Sequence, residues 1–310
     1  MRRLAPLPIL LALGLGASPA PAPGQVPTPT PTPPPPVFEA EVSVVSVTAV
    51  VFDKRGRFVE GLTPKDVTLF EDEVPQELMY LLAAKGGEEK IPLSVVLVLD
   101  ASGSMKQNLH FLQEAATSFL NKLEDVDQAL VVQFNESLKG SAEFTDDLDR
   151  LEQFVEALQA WGGTSLYDAV HYALGRVANQ PGRKAVIVFS DGADTTSTLQ
   201  EKDVIEYARA VEATVYSIGI EGMGPGGTPR GFLKRVASET GGEAFFPDKV
   251  GDLIRVFAGI SEELHNHYAL AYTPQRAPDG SFRKIRMTVN RKDVEVRVRK
   301  GYYALKKRKR

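Results

Sequence analysis

From residue 93 to residue 264 the chain repeats two hydrophobic patterns in turn. Unbroken apolar runs occur at Val95-Val96-Leu97-Val98-Leu99 and then within 128–134 and 184–190, with a further strand predicted at 214–220. Such runs, with no polar alternation, predict strands buried on both faces of a parallel sheet. Between them, apolar residues recur at helical spacing. Phe111, Leu112, Ala115, Ala116, Phe119 and Leu120 form one stripe, and Leu148, Leu151, Phe154, Val155 and Leu158 another within 147–158. Further helices are predicted over 165–177, 199–211, 230–240 and 250–264, with an edge strand at 138–144 and a short last strand at 243–246. This succession predicts an α/β fold, a doubly wound, mostly parallel six-stranded sheet with right-handed crossovers.

The flanks follow a different pattern. Residues 42–52 are rich in β-branched side chains and predict a strand, 53–57 a turn, and 58–59 the start of a second strand. Residues 62–66 predict a cap and one helical turn, 67–70 a strand, 71–73 a turn and 74–76 the return. After the last helix, strands are predicted at 267–273, 284–289 and 294–299. Ile285, Met287, Val289, Val294, Val296 and Val298 face one way, and Lys284, Arg286, Arg297 and Arg299 face the other as a basic stripe. Half a sheet face is not stable alone. The segments 37–90 and 265–303 are therefore expected to pack together as a small β module, with residues 91–264 inserted between them.

Composition adds limits. The chain has 310 residues, 43% of them hydrophobic, enough for one ordinary core and a smaller module. Its net charge of −4, with both signs mixed, speaks against a nucleic-acid partner. There is no cysteine, which excludes disulfides, thiolate metal sites and a cysteine nucleophile. Arg2-Arg3, the apolar stretch after them and Ala17-Ser18-Pro19-Ala20 predict a signal peptide over 1–20, an uncleaved anchor being the alternative. Residues 21–36, nearly all Pro, Thr, Ala and Gly, predict an extended polyproline linker. The end, 304–310, is a basic tail, read first as solvated. Membrane contact is expected only through an uncleaved signal or this tail.

The candidate chemistry sits where the first apolar run stops. Asp100, Ser102 and Ser104 place one carboxylate and two hydroxyls at alternate positions in a turn before a helix, hard donors that suit Mg²⁺. Thr164, in Gly162-Gly163-Thr164-Ser165, offers a third hydroxyl before another helix. Asp191 ends the run Val186-Ile187-Val188-Phe189-Ser190. Together these residues resemble the metal-ion-dependent adhesion site of the von Willebrand factor A (VWA) family: Asp-x-Ser-x-Ser, a loop Thr, and a loop Asp. The resemblance covers about 170 residues and implies strand order 3-2-1-4-5-6. By position it implies Ser102, Ser104 and Thr164 as direct ligands, Asp100 and Asp191 binding largely through water, and Mg²⁺ as the ion, with Mn²⁺ or Ca²⁺ as substitutes.

The front flank is also similar to one in a bacterial group of exported VWA-related proteins, G-L-T-x-x-D-F-x-V-x-E-D-G-x-P-Q. Glu73 stands where that group has Gly, which disfavours a tight primed hairpin turn. The resemblance implies an exported adhesion-type module that captures a partner's Glu or Asp carboxylate through the metal. The alternative is a scaffold or accessory subunit of an envelope complex. In the family, ligand entry can shift the final helix, here 250–264.

Catalysis is not expected. None of His110, His171, His265 and His267 stands beside a serine in a nucleophile elbow, and Ser102 occupies the place where aspartyl phosphotransferases carry a second Asp. No catalytic residue and no organic cofactor is assigned. The glycine-rich loop at 222–228 lacks the spacing and lysine of a phosphate-binding loop. Asp194 is expected to cap the helix after it, or else to support the metal. His265 and His267 are expected on one strand face, a weak metal-binding pair.

Overall fold

The computed structural model describes residues 44–83, 91–141, 143–220 and 227–305. The expected signal peptide, the polyproline linker, most of the 222–228 loop and the basic stretch 306–310 lie outside the described residues.

In chain order the elements are β1 (Val45–Asp53), β2 (Val67–Glu71), β3 (Val74–Gln76), β4 (Leu78–Ala83), β5 (Leu93–Asp100), α1 (Leu109–Leu120), β6 (Gln128–Phe134) and β7 (Leu138–Gly140). Then come α2 (Leu148–Glu156), α3 (Leu166–Ala178), β8 (Arg183–Ser190), α4 (Glu201–Ala210), β9 (Thr214–Gly219), α5 (Arg230–Thr240) and β10 (Ala244–Phe245). The chain closes with α6 (Leu253–His265), β11 (Tyr268–Tyr272), β12 (Phe282–Val289), β13 (Val294–Val298) and β14 (Gly301–Tyr303).

The fold class matches the expectation. Six strands form one sheet in the order β10-β9-β8-β5-β6-β7, parallel except for β7. Every residue of β5 is buried, and its side chains divide between two cores. Val95, Leu97 and Leu99 join the core beneath α1 and α6, where Phe119 meets Phe257 edge-on at 6.0 Å. Val96 and Val98 join the core beneath α3, α4 and α5. An uninterrupted apolar run is what a strand covered by helices on both faces requires.

The other eight strands make two antiparallel sheets, ordered β13-β1-β11-β4 and β14-β12-β2-β3. They enclose a third core containing Val47, Leu69, Leu270, Tyr272 and Met287. Each sheet interleaves strands from before and after the doubly wound part: β1 lies between β11 and β13, and β12 pairs with β2. At its centre Glu71, 2% exposed, accepts hydrogen bonds from Tyr272 at 2.7 Å, Tyr302 at 2.8 Å and the buried Arg283 at 3.1 Å. Burial, reinforced by this carboxylate, pushes the Tyr302 hydroxyl up to about 12.

Several expectations need correction. Phe58 makes only an isolated bridge to Phe52, not a strand, and the edge strand expected at 138–144 shrinks to β7. Strands β4 and β14 have no alternation that would announce them. The turn at Asp72-Glu73 is a two-residue hairpin turn with φ of +46° and +65°, the primed geometry that Glu73 was expected to disfavour. Contacts with β12 hold it: Asp72 accepts the Lys284 N–H at 2.8 Å and Arg286 pairs with Glu73. The basic stripe stays outward only in part. Lys284 and Arg286 are exposed, Arg286 lying over the Phe70 ring, whereas Arg297 pairs with Glu243 and Glu263 and Arg299 is buried. Among the described residues, no helix is long and apolar enough to cross a membrane.

The end of α6 is tied to its surroundings by polar groups. Glu263 accepts the Tyr216 hydroxyl at 2.5 Å and pairs with Arg297 of β13, while Arg183 donates to the Leu264 carbonyl. His267 Nε2 lies 2.9 Å from the same Tyr216 oxygen, and burial lowers its pKa. His265 ends the helix, with Nδ1 bonded to the Ser261 carbonyl and Nε2 3.8 Å from Asp127 and 3.9 Å from Glu124. The two histidines do not share a strand face: His265 ends the helix and turns to Asp127, and His267 lies in the connector against Tyr216.

Two predictions follow from these contacts. Asp127 raises the His265 pKa, against burial, so the folded state holds this proton more tightly than the unfolded chain. The stabilisation is complete below about pH 6.5, the ordinary value, and fades as pH rises through the folded value. Urea unfolding of His265→Gln should therefore show a loss of roughly 1 kcal/mol at pH 5.5 and a much smaller loss at pH 8.5. Equal losses at both would rule the charge out. Glu71→Ala should cost about 3–5 kcal/mol, since it strands the buried Arg283 charge; a loss under about 1 kcal/mol would show that Glu71 holds nothing together.

Candidate metal centre

Three connections meet at the carboxyl end of the six-stranded sheet, where open α/β sheets place their ligands. The first begins at Asp100, the last residue of β5. Leu99 lies beside Phe189 in the β5–β8 register, so the next position brings Asp100 to Ser190. Asp100 Oδ2 accepts the Ser190 hydroxyl at 2.7 Å, and Oδ1 accepts the Ser102 N–H at 2.8 Å. A short 3-10 helix, Gly103–Gln107, follows before α1. That turn sets Ser102 Oγ and Ser104 Oγ 3.0 Å apart, and Ser104 donates to Asp191 Oδ1 at 2.7 Å.

The second connection joins α2 to α3 and is sewn to the first. Trp161 N–H donates to the Ala101 carbonyl and Gly103 N–H to the Gly162 carbonyl, both at 3.0 Å. A Cβ on Gly163 would strike Thr196 at 2.7 Å, so only glycine allows the third connection, after β8, to come so close. Thr164 N–H donates to Thr195 Oγ1 at 2.9 Å, and Thr195 N–H returns to the Thr164 carbonyl at 2.8 Å. A Cβ built on Gly192 would stand 3.7 Å from both Ser104 Oγ and Thr164 Oγ1, which puts the two hydroxyls around one point. The structure thus brings Asp100, Ser102, Ser104, Thr164 and Asp191 together, from three separate parts of the chain.

Electrostatics at this point are unbalanced. Asp100 is fully buried, and burial pushes its carboxyl up to about 6 despite the Ser102 and Ser190 hydrogen bonds. Burial raises Asp191 as well, with Ser104 opposing. Asp191 Oδ2 is buried and has no hydrogen-bond partner among the described residues. A buried carboxylate oxygen left without a donor is costly. That orphaned oxygen, with hydroxyls beside it, fits a hard divalent cation. Among the described residues no three His, Cys, Asp or Glu side chains cluster as metal ligands, so a cation held here would draw on the hydroxyls as well.

Other residues complete the site. Ser190 was not singled out, although its place before Asp191 and the in-register pairing of two parallel strands locate it beside Asp100. Thr195 and Thr196, the latter bonded to Ser165 at 2.8 Å, also escape a reading by motif. Asp194 neither caps the helix after it nor touches the centre. It accepts the Tyr167 N–H at 3.0 Å in the first turn of α3 and bonds Ser197, so it braces the Thr164 loop from behind.

The comparisons fit this architecture. The sequence profile of the von Willebrand factor type A domain matches residues 94–258. Among curated proteins none matches. Among solved structures, proximal thread matrix protein 1 from the mussel byssus is 16% identical, with 59% of this chain and 49% of that chain covered and a TM-score of 0.50. The domain of the type V pili tip protein Mfa5 from Porphyromonas gingivalis is 16% identical over 56% and 95% (TM-score 0.49), and a von Willebrand factor type A protein from Catenulispora acidiphila 12% over 84% and 73% (TM-score 0.49). At these identities the likeness concerns fold and nothing finer. With its doubly wound sheet and more than half its length matched by the profile, the chain belongs to the von Willebrand factor type A domain family.

Proposed function

We propose that this protein is an exported, metal-dependent binding module of adhesion type, which captures a Glu or Asp side chain of a partner protein. VWA domains are generally interaction modules and commonly bind a divalent metal. The observation that carries the reading to this chain is the unpartnered oxygen of Asp191, buried beside three convergent hydroxyl residues. Ser102, Ser104 and Thr164 are the direct ligands, and Asp100 and Asp191 act largely through water, with Mg²⁺ as the ion and Mn²⁺ or Ca²⁺ as substitutes. Once bound, the cation supplies a positive seat to which an outside carboxylate can add.

The protein's own groups prepare that seat. Ser190 and the Ser102 N–H fix both Asp100 oxygens. Hydroxyl ligands neutralise less of the cation's charge than carboxylates would, leaving affinity for an acidic partner. The two carboxylates beside the hydroxyls, Asp100 and Asp191, are the groups this reading assigns to the cation. Export rests on the pattern of residues 1–20. Neither nucleic acid nor, beyond the signal and the basic tail, a membrane enters this reading.

Mn²⁺ titration followed by electron paramagnetic resonance should show one weak site in the full chain. Asp191→Asn should abolish it with the circular dichroism spectrum unchanged, and Ser190→Ala should weaken it by about 10- to 100-fold, as outer partners of metal ligands do. Unaltered binding in both variants would remove the centre from this account. An immobilised library of Glu- and Asp-containing peptides should retain the protein in Mg²⁺ and release it in EDTA. Retention that survives EDTA, or Glu→Gln replacement in the peptides, would sink the carboxylate mechanism.

A further inference from the structure

A second site lies at the opposite end of the six-stranded sheet. The amino ends of β8 and β9 face the sheet β13-β1-β11-β4 across a cavity of about 280 Å³. Its wall is basic and rich in hydroxyls: Arg183, Lys184 and Arg299, with Ser46, Thr48 and Thr214. Glu212 is the acidic residue of the wall, and it is exposed.

The arginines are the unusual part. Arg299 is only 7% exposed, yet no carboxylate among the described residues lies within ion-pair distance of it. Its Nε donates to the Gly301 carbonyl at 2.8 Å and one Nη to the Arg209 carbonyl at 2.7 Å. The other Nη has no hydrogen-bond partner among the described residues. Arg183 is 9% exposed and also spends its bonds on carbonyls, those of Ile91 and Leu264. Burial lowers both guanidinium pKa values. Elsewhere this protein covers its arginines with carboxylates: buried Arg283 has Glu71, and half-buried Arg297 has Glu263. Buried charge is ordinarily paired. Here the carboxylates that act on the arginines, Asp127 and Glu124 on Arg183 and Glu212 on Arg299, stand beyond ion-pair distance, and both guanidiniums border an open volume with the Lys184 ammonium.

We propose that this cavity is an anion-binding site for a phosphate-type oxyanion, free or on a small organic ester, held by Arg299, Arg183 and Lys184 with Thr214, Thr48 and Ser46 as hydroxyl donors. Guanidinium groups match tetrahedral oxyanions in geometry as well as charge. The volume accepts such an ion with attendant water. The donors come from both sides: β8 and β9 belong to the doubly wound part, and β1 and Arg299 to the flanking sheet. The bound anion therefore ties the two layers together. The site lies at the other end of the sheet from the Asp100 and Asp191 centre.

The test uses the full chain in EDTA, so that no anion can bind through metal. Thermal unfolding is followed in inorganic phosphate, in glycerol 3-phosphate and in sodium chloride of matched ionic strength. At a phosphate concentration a hundredfold above Kd, the midpoint should rise by about 5 °C or more over chloride. A larger rise with the ester than with inorganic phosphate would identify an ester as the ligand class. Lys184→Gln, whose side chain holds no hydrogen bond or ion pair among the described residues, should raise the half-saturating concentration about tenfold, and Arg299→Gln should abolish the response. Because Arg299→Gln also loses two carbonyl bonds, Thr214→Val provides a second weakened variant that keeps them. The proposal is overturned if wild type responds equally to phosphate, ester and chloride, or if Lys184→Gln and Thr214→Val both respond as wild type does.

Discussion

The arrangement of this protein depends on the parallel register of β5 and β8. Two buried strands running side by side, with no offset, must end together, and both end in polar residues. Asp100 and Ser190 therefore become neighbours, and Asp191 follows one residue later. The apolar runs that drive the sheet to the centre of the fold also determine where its polar ends emerge. Everything at the metal centre is positioned from that edge, because the Thr164 loop is attached to it through the Ala101 and Gly103 backbones.

What could be read in the sequence follows from how local its cause is. The doubly wound part was legible nearly element by element, since a strand covered on both faces and a helix covered on one leave different periodicities. The five convergent residues were legible because each stands at the end of such an element. Ser190 was not, for its role depends on which strand lies beside it. The flanking sheets were harder. β4 reads Leu78-Met79-Tyr80-Leu81-Leu82-Ala83, with neither alternation nor turn signals, and takes its form from pairing with β11. The Asp72-Glu73 turn was misjudged for the same reason: its positive φ angles are held by β12, more than two hundred residues away. Arg297 and Arg299 alternate like surface residues, yet their strand lies against the doubly wound part, and they point into it.

The family resemblance implies a final helix that can shift when ligand binds. In this chain the last turn of α6 is bonded to β8 through Arg183, to β9 through Tyr216 and to β13 through Glu263 and Arg297. Such a helix cannot slide alone. Any displacement must break a buried ion pair or carry β13 along, and β13 is hydrogen-bonded to β1. The same polar groups that fix the helix thus couple its last turn to the flanking sheets.

The position of β1 has a mechanical consequence. It runs antiparallel to both neighbours and is bonded along one part of its length to β11 and along another to β13. A pull entering at Val45 and directed along the strand loads those rungs together, in shear, instead of opening them one at a time as at a sheet edge. Tension between Val45 and the doubly wound part would therefore meet the two ladders in shear.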